Sequence, residues 1–134
     1  MELMWYREGQ NEPSAVSPLP DGWLSWVVDL SAGCTRRHWG TVDPYRDRVL
    51  RTVEAAAFLQ ELLSIQSDVV DAARADCVKR AGRLPKEPMV RERLLEDMVS
   101  RQRESDPLWA SLDEAIACFR RHQHEGGRLV ISGD

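Results

Sequence analysis

The stretch Ser111–Ser132, SLDEAIACFRRHQHEGGRLVIS, decides the fold class. Ser111 and Glu114 have the spacing of a capping box, in which each side chain satisfies an orphan amide of a helix's first turn. Leu112, Ala115, Ile116 and Phe119 follow at i, i+3, i+4 and i+7, one apolar stripe of helical period. Gly126-Gly127 suits the left-handed backbone that ends a helix. Arg128–Ser132 is short, apolar and β-branched, the composition of a buried strand. A helix that returns tightly into a strand must lie over the sheet containing that strand.

Working outward, Glu2–Arg7 reads as a first strand with Leu3 and Trp5 on one side. Residues 9–22 are rich in glycine and proline and read as a loop. Trp23–Leu30 alternates Leu24, Trp26, Val28 and Leu30 with wetter positions and reads as a strand. Ser31–Gly33 turns the chain, and Arg37–Val42 is expected to return as a strand with Trp39 inward. Asp43-Pro44 pairs an N-cap residue with a proline suited to the first helical position, so a helix is expected from there. Its apolar line runs through Tyr45, Val49 and Val53, then shifts to Phe58, Leu62, Ile65 and Val69, which predicts a break near Ser64–Ser67. Gly82 and Pro85 stop this helical run, Pro88 starts another helix, and Asp106-Pro107 restarts the chain. The resulting expectation is an α+β fold in two layers over residues 1–134, a single domain. A small, mostly antiparallel sheet carries Leu3, Trp5, Leu24, Trp26, Val28, Leu129 and Ile131, with helices on one face.

Composition bounds the function. With 134 residues, 43% hydrophobic and 30% charged, the chain is long enough for a core of its own. No apolar run reaches the ~20 residues of a membrane span, and the N-terminus has no signal-peptide pattern. Three cysteines, Cys34, Cys77 and Cys118, are odd in number and far apart, which favours reduced thiols and a cytoplasmic setting. A net charge of −4 argues against nucleic acid as the main partner, since phosphate binding needs a basic surface.

Chemical motifs are sparse. Cys118 and His122 lie four apart on a helix face, with His124 close by, and Cys34 and His38 repeat the spacing. A structural zinc site needs four ligands in one place. The simpler reading packs Cys118 in the core and leaves both histidines near a helix C-terminus, where positive charge is favourable. Phosphate-loop, dinucleotide and nucleophile-elbow motifs are absent. The expectation is therefore no catalytic residue, no cofactor and no metal.

Two patterns point to binding. Asp47, Glu54, Glu61 and Asp68 recur every seven residues, so on a helix they would run down one edge as a docking strip for a basic partner. A solvated helix face is the alternative reading of the same stripe. Among five tryptophans, Trp5 and Trp26 fall at inward positions, while Trp23 and Trp109 fall where an interface anchor would sit.

In general style the chain resembles the small immunity proteins that bacteria encode beside polymorphic or contact-dependent toxins. The resemblance is carried by the acidic composition, the Phe58-Leu-Gln-Glu-Leu62 segment, and the ending from Leu112–Ile116 to Gly126–Ile131. It implies a stoichiometric inhibitor that caps a toxin's active site or blocks a surface the toxin needs. The acidic strip makes a basic toxin domain the expected partner, and charge and hydropathy give the expectation of no nucleic-acid or membrane partner. A small enzyme with an unrecognised site, and a bacterial or phage regulatory adaptor, are the alternatives from other classes.

Overall fold

The structure, a computed structural model, describes residues 1–31 and 38–134. Its sheet has four antiparallel strands, β1 (Glu2–Tyr6), β2 (Ala15–Pro18), β3 (Arg48–Leu50) and β4 (Arg128–Ser132), in the order β2-β1-β4-β3. Among the described residues four α-helices accompany it: α1 (Trp23–Leu30), α2 (Thr52–Arg80), α3 (Pro88–Ser105) and α4 (Pro107–Glu125). The expected α+β class holds. The first and last strands lie side by side at the centre of the sheet, with Leu3 opposite Ile131 and Trp5 opposite Leu129.

Alternation along the strands gives the sheet a dry face. Leu3, Trp5, Leu50, Leu129 and Ile131 are all buried there, beneath the α4 stripe of Leu112, Ala115, Ile116 and Phe119. The expected helix-to-strand return is present: Gly126 (φ +73°) and Gly127 (φ +89°) carry the chain from α4 into β4. A β-carbon on Gly127 would lie 2.1 Å from the Tyr6 carbonyl oxygen, so both the backbone conformation and the close approach require glycine.

Several local readings are corrected. Trp23–Leu30 is a helix rather than a strand, because Trp23 and Val27, four apart, are the positions it buries. Its apolar residues satisfy both periods, and the turn before it settles the outcome: Trp23 N–H donates to Pro20 O and Trp26 N–H to Gly22 O, each at 3.0 Å. Leu24, Trp26 and Val28 therefore leave the sheet. The strand they would have filled comes from within the expected loop, as β2, an edge strand on which the terminal Pro18 is tolerated. The described part of the expected strand Arg37–Val42 is a 3₁₀ turn, Trp39–Thr41, with Trp39 inward as expected; residues 32–37, including Gly33, Cys34 and Arg37, lie outside the described residues.

Asp43-Pro44 does not open a helix. Asp43 accepts a hydrogen bond from the Tyr45 amide in a turn, the chain then forms β3, and α2 begins at Thr52. Tyr45, Val49 and Val53 are consequently exposed. No break occurs near Ser64–Ser67. The 29-residue α2 is continuous, about 43 Å long, and its buried line of Phe58, Leu62, Ile65, Ala73 and Cys77 drifts as one helix wraps past its neighbours. Helix α3 starts at Pro88 as expected, but only Leu95 is fully buried on it, while Val90 and Leu94 are exposed. Helix α4 starts a turn before Ser111, because the Asp106 carboxylate accepts from the Leu108 and Trp109 amides at 3.0 and 3.5 Å. Ser111 and Glu114 are interior helical residues and form no cap.

The core centres on Trp39. Its ring meets Trp23, Phe58 and Phe119 edge-on, with centroids 5.3, 4.9 and 5.9 Å away, and its indole N–H donates to Phe58 O at 3.1 Å.

Candidate partner-binding surfaces

The expected acidic strip does not assemble. Asp47 precedes β3 and is not helical; its carboxylate accepts from the Ser132 hydroxyl and the Gly133 amide at 3.1 and 3.0 Å. Glu54 stands in the first turn of α2 and pairs with Arg48 at 2.9 Å, a hydrogen bond that holds its carboxyl below the usual range. Glu61 is 5% exposed. It lies three residues after Phe58 and four before Ile65, so the helical period turns it onto the apolar face. Its Oε2 accepts from the Trp39 amide at 3.0 Å, and Oε1 has no partner among the described residues. Burial pushes its pKa up, against the opposing pull of the Trp39 amide and of nearby His38. Asp68 alone stands exposed on the helix.

The two tryptophans expected at an interface are also inside. Trp23 packs against Trp39 at the centre of the core. Trp109 is buried on α4 because it precedes Leu112 by three residues and so joins the same stripe; Arg103 lies over its ring at 5.3 Å. Neither indole N–H has a partner among the described residues. Trp5 is buried as expected, while Trp26 is half-buried.

Cys118 and His122 are both buried, and they serve packing. Burial raises the Cys118 thiol to about 11 despite the opposing influence of Arg121, so it is protonated at neutral pH. His122 is not solvated at the helix end: its Nε2 lies 3.2 Å from the Gly127 carbonyl, which as an acceptor assigns the ring proton to Nε2. His124 is exposed. The described residues hold no group of three or more His, Cys, Asp or Glu side chains placed around a common point. Among the described residues no helix is long and apolar enough to cross a membrane.

What the fold does assemble is an apolar row on the other face of the sheet. Val16, Met4, Val130 and Val49 stand in register across all four strands. Val130, flanked on both sides, is nearly buried, whereas Val16 and Val49 at the edges are 46% and 58% exposed. Tyr6 borders the row with Arg128 over its ring at 4.3 Å, and Glu2 borders its other side. In the sequence the row was concealed, because two of its strands were hidden in an apparent loop and an apparent helix.

A concavity lies at the end of the sheet where β1 begins and β2 and β4 finish. It has a volume of ≈ 410 Å³ and runs along α1 beside Leu24 and Val28, with Leu19 and Tyr45 among its walls. Asp21, Asp29 and Asp134 also line it. Comparison with family models, with curated proteins and with solved structures finds no match to this chain.

Proposed function

We propose that the chain acts by stoichiometric association with a protein partner, in the manner of an immunity protein that neutralises a cognate toxin. The observation that carries this reading is the row Val16–Met4–Val130–Val49 on the sheet face away from α4. Apolar side chains aligned across a whole sheet lose free energy by leaving water, and a contiguous patch of this kind marks an association surface more often than it marks plain solvent. The polar neighbours Glu2 and Arg128 would form the rim that such interfaces carry around an apolar centre. The resemblance noted in the sequence supplies the specific form, a toxin as partner.

The test is co-expression with the product of the adjacent reading frame. The expected result is an equimolar complex by light scattering, relief of that product's toxicity, and loss of both on Val49→Asp with an unchanged melting curve. A complex and protection indifferent to Val49→Asp would remove the sheet face from the proposal. Absence of any complex, or turnover of a small molecule by the isolated chain, would remove the proposal itself.

A further inference from the structure

We infer that the groove along α1 receives a basic segment of the partner protein, with a cationic side chain at each end and an apolar side chain between them. This rests on the reading that the chain binds a protein, and it adds the chemistry of the segment recognised. Helix α1 turns Trp23 and Val27 inward, leaving Leu24 and Val28, four residues apart, as a half-buried apolar floor. Asp21 stands before the helix and Asp29 in its last turn, both exposed, so the carboxylates bracket that floor roughly 10–12 Å apart. Among the described residues neither forms an ion pair; Asp134, the third carboxylate, is held by the Met1 amine at 2.8 Å.

Asp29 is the informative residue. A carboxylate in the last turn of a helix faces the negative end of the helix dipole, and α1 has no basic residue in that turn to offset it. An incoming cation therefore gains twice, from the carboxylate and from the negative end of the helix dipole. The opposite end of the sheet carries Arg7 and Arg128 together with Glu8, so it offers no run of carboxylates to compete for a basic segment. An extended peptide advances about 3.3 Å per residue and alternates faces, so residues 1, 3 and 5 of a pentapeptide share one side and span about 13 Å. That matches the floor between the two carboxylates.

The probe is acetyl-Arg-Gly-Leu-Gly-Arg-amide, titrated into the isotopically labelled chain and followed by amide chemical shifts. Shifts are expected at Leu24, Ser25, Val28, Asp29 and Tyr45, weakening as salt is raised. The Gln-Gly-Leu-Gly-Gln peptide, or the double variant Asp21→Asn with Asp29→Asn, should bind about five- to tenfold more weakly, the sum of two exposed ion pairs. Asp97→Asn, which removes an exposed carboxylate on α3 that lines neither surface, should leave the titration unchanged. Equal binding of the glutamine peptide, indifference to the double variant, or shifts centred elsewhere would overturn the inference. Any of these can occur with the sheet-face complex intact, so the two readings fail separately.

Discussion

The indole N–H of Trp5 donates to the carbonyl of Gly126 at 2.6 Å, tying the first strand to the residue that ends the last helix. The two residues are 121 positions apart in the chain, and the bond closes the corner where α4 turns into β4. His122 braces the same corner through the Gly127 carbonyl. Trp5→Phe keeps most of the buried ring and removes the donor. It should cost about 1–2 kcal/mol in urea unfolding, the sum of a lost hydrogen bond and a small void.

The glycine pair at that corner should respond unequally. Gly126→Ala meets open space, so its cost is backbone strain alone: φ 73° with ψ −148° is a conformation essentially reserved for glycine, worth about 1–3 kcal/mol. Gly127→Ala also places alanine at a positive φ and in addition drives a β-carbon into the Tyr6 carbonyl, so it should be about 2 kcal/mol more disruptive than its neighbour. Equal melting temperatures for the two variants would contradict the close approach.

Glu61 makes stability depend on pH in an unusual direction. Burial raises its folded pKa, so between the ordinary carboxylate range and that raised value the folded chain holds a proton that the unfolded chain has released. Stability from this group is therefore greatest at low pH and declines as pH rises through that window. Glu61→Gln retains an acceptor for the Trp39 amide and lacks the titration. Urea midpoints of the two proteins should diverge in favour of the variant as pH rises from about 4.5. Parallel profiles would show that Glu61 is solvated.

Helix α3 should be the first element to open. Besides Leu95 and the half-buried Met98 and Val99, it is held mainly by polar ties: Arg74 with Glu92, the Cys77 thiol with Gln102, and Arg103 with Asp113, whose two oxygens lie 2.6 Å from Nε and Nη2 of the guanidinium. Gln66 of α2 donates to the same carboxylate at 3.0 Å, so Asp113 joins three helices. Both members of the Arg103–Asp113 pair are about one-third exposed, which limits its worth to about 1 kcal/mol. Asp113→Ala should speed hydrogen exchange in α3 far more than in β1 or β4.

The Cys118 thiol should be slow to react. With its pKa at about 11 and its side chain buried, iodoacetamide at pH 7 should leave it intact until urea unfolds the chain. Rapid labelling of folded protein at this position would contradict its place beneath the α4 surface.

Read alone, the sequence determined the elements whose period and boundaries agree over a long stretch. The α4 stripe, the stop at Gly126-Gly127, strands β1 and β4, and the start of α3 at Pro88 were all legible. In each case local propensity and hydrophobic spacing point the same way. Short segments were not decided locally. Trp23–Leu30 is apolar in both periods, and Ala15–Pro18 and Arg48–Leu50 become strands only because β1 and β4 offer them hydrogen-bonding edges. The surfaces proposed for binding belong to that second category. Glu61 and Trp109 carried a local signal, three and four residues from known core positions, yet their burial required knowing which helix face met the sheet. The row across the four strands and the groove beside α1 combine residues from both ends of the chain, and only long-range pairing brings those together.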